Sequence, residues 1–168
     1  MSEKEALLCP DLTDENKKKT VIFVCTGNTC RSPMAAALFN HLFSDSNYRA
    51  ESAGLYADGS PISEKAVEAL MERGVLPTPT NDYRHHLSRT LDESMMTEAD
   101  LVVAITDSHS MEIIFRYPAY ASKVAVMTEN IPDPFGGSIE VYRRCLEKIE
   151  KILKESFAQP PFEDSEGE

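Results

Sequence analysis

The chain has 168 residues, 42% of them hydrophobic, and a formal net charge of −11, which is typical of one globular domain and argues against a nucleic-acid partner. No apolar run approaches the roughly 20 residues that cross a membrane, so we expect no membrane partner. The N-terminus also lacks the pattern of a secretory signal, and we therefore expect a cytoplasmic protein.

Composition divides the chain into three parts. Residues 1–19 are polar and charged, and we expect them to form a flexible lead-in. Residues 20–158 form the predicted single domain. Residues 159–168 carry four acids and no bases, which predicts a solvated acidic tail. Nothing in these segments requires a dimer, so a monomer is the simplest expectation.

Short apolar runs alternate with helix-forming segments along the predicted domain. The predicted strands cover residues 21–24, 48–52, 101–105 and 123–127. The predicted helices cover residues 33–43, a segment from 60 to 74, and residues 92–98, 108–116 and 138–157. This alternation indicates an α/β fold with a parallel sheet between two helical layers, and a site beyond the C-terminal ends of the strands.

The loop between the first predicted strand and the first predicted helix is the most informative segment. Residues 24–33 read V-C-T-G-N-T-C-R-S-P. Backbone N–H groups in such a loop have no partners in secondary structure, and a curled loop directs them at an anion. Gly27 and Asn28 suit the left-handed or strained dihedrals that curling requires. Ser32 suits the helix N-cap, and Pro33 suits the first helical position.

Cys25 and Arg31 give this loop its chemistry. Arg31 offers a planar guanidinium that can bind two phosphoryl oxygens. The loop amides, the helix dipole and Arg31 all favour negative charge at Cys25, and a thiolate is a strong nucleophile. We therefore predict attack of Cys25 on a phosphoryl group and a cysteinyl-phosphate intermediate. Because the loop itself neutralises the phosphate, no metal or other cofactor is implied.

The segment 24–33 resembles the signature of the low-molecular-weight protein tyrosine phosphatase family. Together with D-P-F-G-G-S at residues 133–138, it is most similar to the bacterial protein-arginine-phosphatase branch. The resemblance runs from about residue 19 to the last helix. It implies a four-stranded, flavodoxin-like sheet in the order 2-1-3-4 and phosphorylated proteins as substrates. It also implies that the phosphate is bound by the loop residues Thr26, Gly27, Asn28, Thr29, Cys30 and Arg31.

Asp133 is the candidate general acid and base. It lies between two prolines, each of which restricts the backbone, so a stiff loop can hold its carboxylate over the phosphate. A cysteinyl-phosphate mechanism needs a proton donor for the leaving group and then a base for water. An ordinary Asp-Pro turn is the structural alternative.

Further residues are expected to support the loop. We expect Asn28 to hold the curl, Ser32 to donate a hydrogen bond to Cys25, and Ser52 to contact Asn28. The resemblance assigns similar work to a histidine, for which His86 fits best and His85 stays open. The sequence places the two remaining histidines, His41 and His109, on helix surfaces.

The walls of the pocket decide which phosphorylated side chain enters. Tyr56 and Phe135 are the candidate aromatic walls, with plain packing as the alternative. The resemblance makes Thr29 the discriminating residue, because tyrosine phosphatases of this family usually carry a larger aliphatic side chain there and arginine phosphatases carry threonine. We therefore predict a protein-arginine phosphatase, with a tyrosine phosphatase as the alternative.

The cysteines suggest a redox role and a further alternative. Cys30 lies in the same loop as Cys25 and can form a reversible disulfide with it, or can simply pack beneath the loop. An arsenate reductase would need additional cysteines near the site, which Cys9 and Cys145 do not resemble. A catalytically dead phosphoprotein-binding module is disfavoured, because every catalytic position is filled.

Overall fold

The centre of the fold is a sheet of four parallel strands. A computed structural model describes residues 18–157. The strands are β1 (Lys19–Cys25), β2 (Tyr48–Gly54), β3 (Leu101–Ala104) and β4 (Val124–Val126), in the spatial order β2-β1-β3-β4. The predicted α/β class and the predicted order 2-1-3-4 are confirmed. The predicted acidic tail lies outside the described residues, and so does the predicted lead-in apart from its last two residues.

Five α-helices pack around the sheet. They are α1 (Arg31–Leu42), α2 (Glu64–Glu72), α3 (Glu93–Glu98), α4 (Asp107–Arg116) and α5 (Ile139–Phe157), with 3₁₀ turns at Tyr83–His85 and Pro118–Lys123. Each predicted helix is present. The second one begins at residue 64 rather than 60, because Pro61 pairs with Leu87 in an isolated bridge before the helix starts.

From Val21 onward, strand β1 is buried on both faces, which explains the apolar run of residues 21–25. Val21 and Phe23 point into the cluster formed with α1, α2 and α5. Ile22 and Val24 point the other way, toward α3 and α4. Because alternate side chains of a strand face opposite sides, β1 ties both helical layers to one sheet.

The long helix α5 carries one apolar stripe into the larger cluster. Tyr142, Leu146, Ile149 and Leu153 are all buried, at the spacing of one helix face. Burial of each such side chain stabilises the fold by about 1.5–3 kcal/mol. Tyr142, at the first turns of the helix, reaches the loop that follows β1.

The order of the strands places that loop at the switch point of the sheet. The chain leaves β1 toward β2 on one side, whereas β3 adds on the other side, and this opens a crevice beyond the strand ends. Loops after β1, β2, β3 and β4 all reach this edge. No helix within residues 18–157 has the length and apolar character needed to cross a membrane.

Candidate active site

A cavity of about 360 Å³ opens at this edge of the sheet. Ten of the residues predicted for the site line it: Cys25, Thr26, Gly27, Asn28, Thr29, Cys30, Arg31, Tyr56, Asp133 and Phe135. Four lining residues were not predicted: Asp58, Ser60, Pro61 and Ser63. Ser32, Ser52 and His86 contact the loop from behind the cavity.

The thiol of Cys25 lies at the start of the loop and is buried. Its Sγ lies 2.9 Å from Oγ of Ser32. Oγ of Ser32 already accepts a hydrogen bond from Nδ2 of Asn28 at 2.8 Å, so its own proton is free to point at the sulfur. This arrangement stabilises negative charge on Cys25.

Asn28 holds the loop in its curled conformation through several hydrogen bonds. Its φ of 63° is in the left-handed region, and its side chain is fully buried. Nδ2 donates to Ser32 and, at 3.0 Å, to Ser52, while Oδ1 accepts from the backbone N–H of Arg89 at 3.0 Å. Among the residues of the loop, Asn28 alone occupies the left-handed region, and Gly27 does not.

Ser32 does not cap helix α1, contrary to the prediction. The helix begins one residue earlier, at Arg31, and Cys30 takes the N-cap position without a side-chain hydrogen bond to the backbone. The hydroxyl of Ser32 is directed at Cys25 and Asn28 instead. Pro33 therefore stands in the first turn of the helix but not at its first position.

The backbone N–H groups of the loop are available for an anion. Within residues 18–157, no protein acceptor pairs with the N–H groups of residues 27 to 31. They lie at the N-terminus of α1, where the helix dipole adds positive potential. A bound phosphoryl group is the ligand that this geometry favours.

Gly54, at the end of β2, is needed for the loop to pack and was not predicted as a site residue. A Cβ at this position would lie 2.7 Å from the backbone oxygen of Thr26 and 2.9 Å from Cβ of Asn28. Any other residue would push the loop away from the sheet. Only the close approach of two segments reveals this requirement, and a sequence pattern does not record it.

Arg31 brings a positive charge into the cavity from the first turn of α1. Its side chain is buried, and Nη1 donates to the backbone oxygen of Ile131 at 3.0 Å. Nη2 lies 3.7 Å from Oδ2 of Asp133. The guanidinium is thereby fixed between the loop and the segment that carries Asp133.

Asp133 faces the loop from the opposite side of the cavity. Its Oδ1 accepts a hydrogen bond from the backbone N–H of Phe135 at 3.1 Å, and the other oxygen faces Arg31. The side chain is about half exposed, which leaves it accessible to a substrate. One carboxylate is thus oriented by its own loop toward the place where a phosphoryl group would lie.

The side chain of His86 supports the loop by a hydrogen bond to the backbone of the loop. Nε2 of His86 lies 2.9 Å from the backbone oxygen of Asn28, and since a carbonyl only accepts, the ring nitrogen donates. Burial and the nearby Arg89 lower the pKa of His86, although the bond to Asn28 opposes this. His85 is exposed and pairs with Asp82, so of the two histidines left open by the sequence it is His86 that contacts the loop.

His109 is buried, and the prediction of a surface histidine is wrong. It lies in the first turn of α4, where its Nε2 is 2.8 Å from Oγ1 of Thr26. Burial and the charge of Arg31 lower its pKa to about 4, so the ring is neutral near pH 7. The other surface prediction, His41, is confirmed, because that side chain is exposed on α1.

Tyr56 and Phe135 are the two aromatic side chains that line the cavity. Their exposed fractions are 64% and 73%, which is unusual for aromatic side chains and leaves both faces open to a ligand. Tyr56 is held in place, because the guanidinium of Arg116 lies 4.8 Å from its ring and its hydroxyl donates to Glu112. Within the described residues, no such hydrogen bond or ring contact involves the side chain of Phe135.

Cys30 and Thr29 line the cavity, and Cys30 contacts α5. Sγ of Cys30 lies 3.3 Å from the hydroxyl of Tyr142 and 3.7 Å from Oγ1 of Thr29. Burial raises the pKa of the Cys30 thiol, and the hydrogen bonds from Tyr142 and Thr29 oppose that rise. Burial also raises the pKa of Cys145, on α5, to about 12. Cys9 lies outside the described residues.

The donor set of the cavity suits an anion rather than a cation. Within residues 18–157, no group of three or more His, Cys, Asp or Glu side chains is arranged to hold a metal ion. The cavity instead combines free amides and one guanidinium with two thiols, Cys25 and Cys30, and two carboxylates, of which Asp133 faces the guanidinium. This set fits nucleophilic transfer of a phosphoryl group with proton transfer by the carboxylate.

Comparisons with known proteins agree with this geometry. The family described as low molecular weight phosphotyrosine protein phosphatase matches residues 20–160. A protein-arginine-phosphatase of Bacillus subtilis is 38% identical over 145 residues, which cover 80% of this chain and 92% of the relative. A low molecular weight protein-tyrosine-phosphatase PtpB of Staphylococcus haemolyticus is 34% identical over 136 residues, covering 77% of this chain and 91% of the relative.

A solved structure extends the similarity to the fold. The YwlE arginine phosphatase from Geobacillus stearothermophilus superposes with a TM-score of 0.78 at 34% sequence identity. The match covers 89% of this chain and 97% of that one. The fold is therefore shared along most of this chain.

Proposed function

This chain belongs to the low-molecular-weight phosphotyrosine protein phosphatase family and is a cysteine-dependent protein phosphatase, and we propose that it hydrolyses phosphoarginine in proteins. The observation that carries the proposal is the combination of Thr29 with two carboxylates, Asp58 and Asp133, on the lining of one cavity. Relatives with a similar sequence include both protein-arginine and protein-tyrosine phosphatases, so the choice between them depends on the pocket.

The proposed reaction has two steps, and each uses residues that line the cavity. In the first, the thiolate of Cys25 attacks phosphorus while the P–N bond breaks, and Asp133 gives its proton to the departing guanidine nitrogen. The loop amides and Arg31 hold the three equatorial oxygens during the transfer. In the second, Asp133 takes a proton from water, water attacks phosphorus, and the S–P bond breaks to release phosphate and the thiolate.

Thr29 supports an arginine substrate by its size and polarity. Its Oγ1 lies 3.7 Å from Cys30, and the backbone oxygen of Thr29 accepts from the N–H of Ser63 at 2.9 Å, so the residue is held on both sides. A hydroxyl at this point can bind a polar guanidinium or its water. A larger aliphatic side chain would instead favour contact with an aromatic ring.

The acidic lining supports the same choice. A phosphoguanidinium carries several N–H donors next to its phosphoryl group, whereas the ring of phosphotyrosine carries no N–H donor. Ionised Asp133 can accept such a donor with the oxygen that faces the cavity, and can take up the proton that it then gives to the departing guanidine nitrogen. Asp58 has a lowered pKa, because Ser60 donates to it through both its hydroxyl and its backbone N–H, and it therefore stays ionised at neutral pH.

Phosphotyrosine is the second candidate, and the two exposed aromatic walls favour it. Tyr56 and Phe135 can stack on a phenyl ring as well as on a planar guanidinium. Stacking alone therefore does not discriminate between the two substrates. The proposal depends on the polar groups of the lining, which are the hydroxyl of Thr29 and the carboxylates of Asp58 and Asp133.

The experiment compares the two substrates in one peptide context. Purified full-length protein is given peptides that differ only in carrying phosphoarginine or phosphotyrosine, and kcat/KM is measured for each by phosphate release. We expect a higher kcat/KM for phosphoarginine, and a higher value for phosphotyrosine would overturn the proposal. Cys25→Ser should abolish hydrolysis of both, and Cys145→Ser should leave it within about twofold, since Cys145 lies outside the cavity lining.

A further inference from the structure

One face of α4 carries three polar side chains that meet the active site. His109, Glu112 and Arg116 are three and four residues apart, so they lie in one row along the helix. Each of them contacts either Thr26, the residue after the nucleophile, or the segment of Leu55 and Tyr56. A row that faces the site in this way is not explained by packing of the helix on the sheet.

The hydrogen bonds fix the tautomer of His109. The backbone N–H of Thr106 donates to Nδ1 at 3.2 Å, so this nitrogen carries no proton. The proton is then on Nε2, which donates to Oγ1 of Thr26 at 2.8 Å. The ring is thus a neutral donor that ties the start of α4 to the start of the phosphate loop.

Glu112 and Arg116 hold the side chain of Tyr56, the wall of the cavity next to the loop. Glu112 accepts from the hydroxyl of Tyr56 and from Nη2 of Arg116, the latter at 2.6 Å. Arg116 lies 4.8 Å from the centre of the Tyr56 ring and donates to the backbone oxygen of Leu55 at 3.2 Å. Two contacts, the hydrogen bond to Glu112 and the guanidinium of Arg116 over the ring, therefore hold a Tyr56 side chain that is otherwise largely exposed.

Thr26 and Tyr56 are also joined to each other. The backbone N–H of Tyr56 donates to the backbone oxygen of Thr26 at 2.9 Å. The loop residue, the wall and the face of α4 consequently form one closed set of hydrogen bonds. Movement of α4 would displace both the loop and the wall.

We propose that His109 is a positioning residue of the phosphatase reaction, which holds Thr26 and thereby the loop, while Glu112 and Arg116 position Tyr56 as the wall of the pocket. His109 acts through Thr26 and does not reach the reacting atoms itself. The proposal concerns the phosphatase site as such and does not depend on the choice of phosphoarginine.

A purely structural role is the competing explanation for His109. Thr106 and His109 form a capping box at the start of α4, so removal of either weakens the helix. Thr106→Ala is the matched control, because it removes the capping hydroxyl, with its 3.0 Å contact to Nδ1 of His109, but keeps the backbone N–H that donates to Nδ1 and leaves the bond from Nε2 to Thr26 in place. A stability effect should appear in both variants, and a rate effect only in variants that lose the bond to Thr26.

The test measures kcat and KM with p-nitrophenyl phosphate, together with the Tm of each variant. We expect His109→Ala to lower kcat about tenfold, since a small displacement of a reacting group is costly. His109→Gln, which can place an N–H near the position of Nε2, should recover most of that loss. Thr106→Ala should keep kcat within about twofold. Equal kcat values for His109→Ala and Thr106→Ala would overturn the role of His109.

Thr26→Val tests the same bond from its other end and covers the case in which His109→Ala fails to fold. It should reduce kcat as much as His109→Ala, and the double variant should lose nothing further, because both remove one interaction. Independent, additive losses would contradict the proposal.

For the wall, Glu112→Ala should raise KM several-fold with little change in kcat, and an unchanged KM would refute the role of Glu112 in positioning Tyr56. A preference of the wild type for phosphotyrosine would leave all these comparisons intact.

Discussion

The hydroxyl of Ser32 lies 2.9 Å from the sulfur of Cys25, and its proton has no stronger acceptor, since the backbone oxygen of Ala53 is 3.4 Å away. In the mechanism proposed above, this hydrogen bond stabilises the thiolate of Cys25 both before its attack and when it departs from the phosphoryl group. Under that mechanism, the hydrogen bond contributes most to lowering the barrier of the second step, in which Cys25 is the leaving group.

Ser32→Ala is therefore expected to slow hydrolysis of the cysteinyl-phosphate more than its formation. A hydrogen bond to a charged group contributes about 1.5–3 kcal/mol, so kcat should fall tenfold or more. Rapid-mixing measurements with p-nitrophenyl phosphate should then show a burst of p-nitrophenol. The exposed Ser94→Ala on α3 is the control. A lower kcat without a burst would mean that the first step depends on Ser32 instead.

Asp133→Asn removes the group assigned to proton transfer while keeping its size. We expect kcat on phosphoarginine peptides to fall by about 10²–10³, because a positioned acid and base contributes about this much. The loss should be smaller with p-nitrophenyl phosphate, whose leaving group departs without a proton. The exposed Asp45→Asn serves as control. Equal losses for both substrates would indicate that Asp133 mainly orients Arg31, which lies 3.7 Å away.

The fold and the loop could be predicted because their signals are local. A buried strand, a turn and a helix follow one another within residues 19–42, and each is marked by its own residues. The position of the loop at the sheet edge then follows from the alternation of strands and helices. The prediction of Ser32 as an N-cap is an exception. A serine before a helix is usually a cap, and only the structure shows its bond to Cys25.

The support from α4 could not be predicted in the same way. His109 and Thr26 are 83 residues apart in the chain, and a polar residue on a helix is exposed more often than not. One signal was available. The helix follows β3, so its first turn lies at the same edge of the sheet as the loop, and the spacing of Thr106 and His109 matches a capping box. A histidine there is closer to the site than helix periodicity suggests.

Thr29→Ile should shift the substrate preference toward phosphotyrosine. The change adds apolar volume and removes a hydroxyl from the cavity lining, and differences of this size are worth about 1–3 kcal/mol. We expect the ratio of kcat/KM for phosphoarginine over phosphotyrosine to fall about tenfold or more, measured with the paired peptides. Thr80→Ile, at an exposed site outside this cavity, should leave the ratio unchanged. An unchanged ratio in Thr29→Ile would exclude this residue as the selector.

Cys30 is expected to protect Cys25 from irreversible oxidation. Peroxide converts a reactive thiolate to a sulfenic acid, and attack by the Cys30 sulfur would form a disulfide and release water. The wild type should lose activity in peroxide and regain most of it with dithiothreitol, with an intermediate lighter by two hydrogen atoms. Cys30→Ser should regain much less. Cys145→Ser, the control, should behave like the wild type, and equal recovery in Cys30→Ser would exclude the disulfide.

The burial of neutral His109 makes stability depend on pH. Its pKa is about 4 in the folded protein and near 6.5 in the unfolded chain, because burial and Arg31 disfavour the charged ring despite the nearby carboxylates of Glu112 and Asp133. Between these values the unfolded chain binds more protons, so the free energy of unfolding falls as the pH is lowered from about 6.5 to 4. The share of His109 in this loss is at most about 3 kcal/mol.

His109→Gln removes this titration while keeping the rest of the protein. Urea unfolding of both proteins across this pH range should show that the advantage of the wild type over the variant shrinks as the pH falls, since the variant has no ring to protonate. Contributions from His86 and from the carboxylates are common to both proteins and cancel in the difference. His41→Gln, at an exposed position, should run parallel to the wild type. A constant difference between the wild type and His109→Gln would mean that His109 is not held neutral by its surroundings.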